Sequence, residues 1–252
     1  EAGGIIAGSN PRSVLLAVYR YLTINRCRWL YPGIDGEFIP IAEESGLILE
    51  IGEIVFRKVC EFIASGALRA FNIRYIEVNL SMVQCMQENL HTRMIEIMDE
   101  HKIPYNMIDF EITETSMNTN NKLLHHNMKN LIECGCTFAA DDFGTGLSNA
   151  DYLIKFPFEV VKLDRMFVKA ANEDDKAQKV LFHTASMIGS LELKIVAEGV
   201  ETKEQAESLL DVGCEFLQGF YFSPPIPPEE YIAFLTKSSE FLKEKMPFVD
   251  VK

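Results

Sequence analysis

Six short apolar runs of this 252-residue sequence each end in a polar or ionisable side chain. Asn79 is the penultimate residue of YIEVNL, Glu111 sits in IDFEI, and Asp141 and Asp142 end TFAADD. Lys162 ends FEVVK, Glu198 ends KIVAE and Gln218 ends EFLQ. Any one such carboxylate is as readily a helix cap or a solvated loop residue. Six in succession, each reached through apolar residues, point to groups held near a core, where an unpaired charge is expensive. Converging carboxylates repel and raise one another's pKa values unless cations intervene. Asp, Glu and amide oxygens, with no His or Cys among them, suit hard ions such as Mg²⁺ or Mn²⁺ rather than zinc. The adjacent pair Asp141-Asp142 stands where a strand leaves its pleat, so both side chains can turn to one mouth. One carboxylate can then bridge two cations roughly 3.5–4 Å apart while its neighbour holds one of them, as in two-metal phosphoester hydrolysis. Gly144 and Gly146 permit a tight turn behind the pair. Lys162 adds a positive group able to orient a hydroxide or steady a phosphoryl oxygen.

Convergence requires a fold that brings the six ends together. The apolar runs, Tyr75–Leu80, Ile108–Ile112, Thr137–Asp141, Phe158–Lys162, Lys194–Glu198 and Glu215–Gln218, read as strands. Amphipathic stretches separate them: Gln87–Glu100, Leu123–Glu133, Lys176–Ser190 and Lys203–Leu210. Gly135 and Gly213 follow two of these, where a helix C-terminus favours glycine. Strand and helix in alternation predict parallel strands with crossover helices. A long helix is expected within Pro40–Ser65, and weaker strands around Val14–Tyr21 and Ile24–Trp29. Six strands plus these two make a (β/α)8 TIM-type barrel, whose usual length is about 250 residues. Its active sites form where the strand C-termini meet. An open doubly wound sheet would expect a glycine-rich nucleotide loop after an early strand, and none is present.

Composition limits the alternatives. With 24 Lys and Arg against 37 Asp and Glu, the net charge is −13. A nucleic-acid polymer would need a basic face. A small anionic ligand is compatible if cations mediate the contact. No apolar run reaches the roughly 18 residues of a membrane span. The start lacks the basic and apolar regions of a secretion signal. Six scattered cysteines without a CxxC pair fit reduced thiols in the cytoplasm, Cys134 and Cys136 reading as small buried residues. His125 and His126 read as solvated. One domain over 1–252 is expected, with 1–13 a linker or foreign stretch and 239–252 a charged tail.

The motifs FIPIAEESGLI, VNLS, FEITET, DDFGTG, VKLDRMFV, VAEGVET and QGFYFSPP, in this order, resemble the EAL-type phosphodiesterases of the bacterial second messenger cyclic di-GMP. The resemblance runs from about Trp29 to Leu235. It implies a (β/α)8 barrel that allows an antiparallel first strand, and hydrolysis of one phosphodiester to linear pGpG with two Mg²⁺ or Mn²⁺ ions. It assigns Asn79, Glu111 and Asp141 to one metal, and Asp141, Asp142 and Glu198 to the other. Lys162 would contact the attacking water, with Gln218 in the shell that positions water or substrate. Arg28 would reach a ligand phosphate. Glu114 would brace the loop Phe143–Leu147, which in the family couples the metal site to a dimer interface. A homodimer, and a sensory or cyclase domain in the parent protein, are further implications.

One departure bears on activity. The family's Glu-Ala-Leu triplet precedes Arg-Trp by one residue, so Arg28-Trp29 places Ile24 at the metal-binding Glu. Isoleucine cannot coordinate a cation. The tyrosine-glutamine-proline-like segment is also absent from Val18–Leu22, and Trp29–Phe38 is short. Either the N-terminal strand has diverged, or this stretch departs from the natural sequence, or the register differs and another carboxylate substitutes. Glu37 is the nearest. Two function classes follow: a phosphodiesterase with weakened metal binding, or a non-catalytic cyclic di-GMP receptor or protein-interaction regulator on the same barrel.

Overall fold

The computed structural model describes residues 5–8, 14–16, 42–71, 73–113, 122–144 and 151–245. Eight strands close a barrel in sequence order. They are β1 (Ile5–Gly8), β2 (Val14–Leu16), β3 (Ile73–Asn79), β4 (Ile108–Thr113), β5 (Thr137–Phe143), β6 (Val160–Leu163), β7 (Lys194–Ala197) and β8 (Phe216–Gln218). From β2 to β8 every neighbouring pair is parallel, while β1 runs antiparallel to both β2 and β8. This is the TIM-type barrel that the resemblance implied, with the reversed first strand that it allowed.

The helices are α1 (Ile48–Ala64), α2 (Met82–Cys85), α3 (Leu90–His101), α4 (Lys122–Cys134), α5 (Asp151–Lys155), α6 (Arg165–Glu173), α7 (Asp175–Ser190), α8 (Lys203–Asp211) and α9 (Pro228–Lys245). Alternation along each strand separates two apolar layers. Ile76, Val78, Ile108, Phe110, Ile112, Phe138, Val161, Leu163 and Ile195 join the large cluster shared with the helices. In that layer Phe56 of α1 meets Phe110, and Phe110 meets Phe138, at ring separations of 5.7 and 5.4 Å. The opposite strand faces form a small separate cluster of Tyr75, Ala139, Val160, Val196 and Phe216 inside the barrel. The next residue toward the C-terminal end on that inner face is polar in every strand from β3 to β8. The barrel interior is thus apolar at the level of Val160 and Val196 and ionic above it.

Several expected boundaries shift. The first strand is Ile5–Gly8, inside the stretch expected to be linker, and Val14–Tyr21 supplies a strand over Val14–Leu16. Ile24–Trp29 lies outside the described residues. The helix expected from Pro40 begins at Ile48, because Gly46 takes a left-handed conformation (φ +76°) that ends the preceding turn. Gly135 and Gly213, at φ +114° and +97°, terminate α4 and α8 as expected. The helix α6 has no counterpart among the expected amphipathic stretches; its first residues belong to the motif VKLDRMFV. Asp164 starts it by accepting the Met166 amide at 2.7 Å. Cys136 is buried and Cys134 half-buried at the turn into β5; the cysteines described are free thiols. His126 is exposed, whereas His125 stacks on Phe156 at 4.3 Å. Among the described residues no helix is long and apolar enough to cross a membrane.

Candidate functional site at the barrel mouth

Period-two alternation places Asn79 on the same face of β3 as Tyr75 and Glu77, and Glu111 on the same face of β4 as Asp109. Asn79 pairs with Glu111 across the β3–β4 ladder, and Asn79 Nδ2 donates to Glu111 Oε2 at 2.8 Å. Lys162 projects inward from β6 and is 2% exposed. Its Nζ donates to Glu111 Oε1 and lies 2.7 Å from Glu198 Oε1 and 3.6 Å from Asp141 Oδ1. A fourth carboxylate, Glu77, approaches from the level below, Oε2 at 3.9 Å. Side chains from β3, β4, β5 and β6, with Glu198 from the end of β7, therefore meet around one ammonium.

Glu198 follows β7, and its amide extends the ladder by donating to Leu163 O at 3.0 Å. Gly199 next to it is left-handed (φ +70°), and a Cβ there would lie 2.3 Å from Arg165 Cβ. Gln218 ends β8 beside it. The following Gly219 lets two backbones touch: a Cβ there would sit 2.0 Å from Val200 O. That approach allows Val200 N to donate to Gln218 O at 3.0 Å, holding Gln218 at the mouth.

Asp142 is the unusual residue of the site. It is a non-glycine residue in the left-handed region (φ +56°), and its amide donates to Asp141 Oδ1 at 2.9 Å. A conformation that costs an L-residue energy persists only where its surroundings impose it. Here it coincides with the register shift between β5 and β6 and turns consecutive carboxylates to one side. Asp141, Asp142 and Glu198 offer oxygens that all lie within 4.8 Å of one another, close enough to share an ion.

Electrostatics agree with a site built for cations. Burial pushes the Glu198 carboxyl up to about 7, with the charges of Asp141 and Glu111 adding to the rise and Lys162 opposing it. Burial, then Glu111, holds Glu77 well above the ordinary carboxylate range. Burial also raises Asp109 to about 7, although Thr137 Oγ1 donates to it. Burial alone would depress Lys162, but Asp141, Glu111, Glu198 and Glu77 together push it up. One ammonium among four carboxylates leaves an acid excess that buried groups do not tolerate unaided. The donors are oxygens only, and Gln218 Oε1 is buried without a hydrogen-bond partner. This set fits hard divalent ions.

Among the sequence candidates, the structure brings together Asn79, Glu111, Asp141, Lys162 and Glu198 and places Asp142 and Gln218 at the same mouth. Arg28, Glu114, Ile24, Glu37 and Gly146 lie outside the described residues. The sequence reading passed over Glu77 and Asp109. Their signal was present in the alternation: each stands two residues before a rim ligand candidate, so each faces the same interior.

The sequence profile described as the EAL domain matches residues 26–225. The chain is 34% identical over 203 residues to the signaling protein YkoW of Bacillus subtilis, covering 79% of this chain and 25% of that protein. It is 32% identical over 216 residues to the cyclic di-GMP phosphodiesterase PdeR of Escherichia coli, covering 86% and 32%. Among solved structures, PaMucR phosphodiesterase in its c-di-GMP complex superposes with a TM-score of 0.71 at 33% identity, over 78% of this chain and 85% of that one. The chain spans about a quarter to a third of the length of the curated relatives it matches.

Proposed function

The chain belongs to the EAL domain family, and on that premise we propose that its barrel mouth hydrolyses one phosphodiester of cyclic di-GMP to linear pGpG. The observation that carries this reading is the rim itself, where acid and amide side chains from separate strands surround the ammonium of Lys162. The name of the relative PdeR and the ligand in the PaMucR complex support the choice of substrate. Asp141, Asp142 and Glu198 would hold one Mg²⁺ or Mn²⁺ ion, and Asn79, Glu111 and Asp141 would hold the other. Such a pair would supply a hydroxide at neutral pH and offset charge on the reacting phosphate. The chain's own residues do the rest. Lys162 orients the attacking water through its ammonium hydrogens. Gln218 uses its buried amide to fix a water or a substrate oxygen. Arg28 binds a ligand phosphate, and Glu114 braces the loop that follows Phe143. The protein acts in the bacterial cytoplasm as a homodimer, within a longer protein carrying a sensory or cyclase domain.

A second reading has its own support. Glu111 is held on both oxygens by Asn79 and Lys162, and Ile24 occupies the counted position of a further ligand. A chain unable to load that half would bind cyclic di-GMP without cleaving it. Incubation with cyclic di-GMP and Mn²⁺, followed by chromatography, decides between them. Accumulation of pGpG is the expected result. Micromolar binding by calorimetry without product selects the receptor.

A further inference from the structure

Lys162 occupies the oxygens that the proposed cations require. Its Nζ holds Glu111 Oε1 and lies 2.7 Å from Glu198 Oε1, and neither oxygen can serve an ammonium and a divalent ion at full strength together. When an ion binds the rim, the ammonium must go elsewhere without leaving the site. Asp141 Oδ1, at 3.6 Å, is itself a ligand candidate and already accepts the Asp142 amide. Among the described residues, the other carboxylate within 4 Å of the ammonium is Glu77. It lies on the inner face of β3 one level below Asn79, is fully buried beside the Glu111 carboxyl, and its two oxygens accept no hydrogen bond from a nitrogen or hydroxyl donor. Its Oε2 is 3.9 Å from Nζ, so a shift of about 1 Å completes a hydrogen bond of ordinary length. The flexible four-carbon lysine stem accommodates such a shift.

We propose that Glu77 is a positioning residue for Lys162: it is the acceptor onto which Nζ retreats when divalent cations take the oxygens of Glu111 and Glu198. The inference rests on the reading of the rim as a divalent-cation site. Lys162 then acts as an internal cation that exchanges places with the metal, and Glu77 keeps it pointed at the mouth. Without Glu77 the ammonium has no second partner and competes with the ion for the rim.

The test is a double-mutant cycle read in Mn²⁺ affinity by calorimetry on the 252-residue chain. Glu77→Leu, which accepts nothing, weakens Mn²⁺ binding about tenfold, equivalent to about 1.4 kcal/mol. Glu77→Gln, which still offers an oxygen, stays within about threefold of the parent. In a Lys162→Met background Glu77→Leu changes the affinity by less than about twofold, because no ammonium competes. Glu77→Met serves as the apolar variant if Glu77→Leu fails to fold. With saturating Mn²⁺, Glu77→Leu lowers kcat for cyclic di-GMP about tenfold and leaves KM unchanged. An equal loss of Mn²⁺ affinity in both backgrounds overturns the proposal, since Glu77 would then act on the ion directly. So does an unchanged affinity in Glu77→Leu when the parent binds Mn²⁺. A parent chain that takes up no Mn²⁺ overturns the metal-site reading first, and the inference with it.

Discussion

The two halves of the rim are built differently. On the β5–β7 side, a left-handed Asp142, a register shift and Gly199 pressed against Arg165 gather three carboxylates whose oxygens lie within 4.8 Å. On the β3–β4 side the ladder is regular, and Glu111 is saturated by Asn79 and Lys162. The first half is strained at the backbone of Asp142 and gathers three acids, two of them beside Lys162. The second is relaxed and internally satisfied. On the proposed reading of the rim as a metal site, the β5–β7 half, whose three carboxylates already lie within reach of one ion, would draw a cation first. The β3–β4 half must surrender existing bonds before it can contribute.

That difference sets the order of the expected mutational effects. Glu198→Ala removes a member of the preassembled trio and Lys162→Ala the ammonium it surrounds. Each lowers cyclic di-GMP turnover at least about a thousandfold in the chromatographic assay, with the circular dichroism spectrum unchanged. Asn79→Ala strikes the satisfied half and costs less, about ten- to a hundredfold in kcat/KM, the loss of a charge-assisted contact. If Asn79→Ala equals Glu198→Ala, the two halves are not loaded unequally. Ile24→Glu restores a carboxylate and raises activity or Mn²⁺ affinity about tenfold, roughly 1.4 kcal/mol. No change in either measurement means that position 24 does not face the metals.

The smallest effect is on stability against pH. Glu198 and Asp109 hold their protons up to about pH 7 in the folded chain, whereas an unfolded chain releases them near 4. Between those values the folded state binds more protons, so stability from these groups is present at low pH and lost as pH rises through about 7. Carboxylates held low by arginines, such as Glu53 beside Arg93, act in the opposite direction but only below the ordinary carboxylate range. A thermal melt without added divalent ions therefore shifts down by a few °C from pH 5.5 to 8. Saturating Mn²⁺ at pH 8 reverses the shift by replacing the proton on Glu198.

The strand ends were legible because each joins a β-branched or aromatic run to a polar residue. All six runs from Tyr75 onward lie on strands of the barrel or extend past their ends, as Glu198 does. The helices with clear three- and four-residue spacing fall within about three residues of their expected limits. Short elements were not legible. The four-residue α2 rests on a capping box between Ser81 and Gln84 rather than on periodicity, and α6 hides in a segment whose chemistry drew attention first. Glu77 was missed for a different reason. Acid in mid-strand ordinarily marks a solvated face, and only barrel closure turns that face inward. The conformation of Asp142 follows from the β5–β6 register shift, which no pattern of residue types encodes.

Asn79, Glu111 and Lys162 each have a residue of the apolar layer on both sides in sequence, and Asp141, Glu198 and Gln218 each have one on the preceding side. Deleting a single residue within β5 before Asp141 would carry Asp141 to the position of Ala140, under the helices, and Asp142 into the place that Asp141 leaves. Length changes in these strands are therefore survivable only in pairs. Chemistry and solubility in this barrel are bound to the same parity, and neither can drift along the chain without the other.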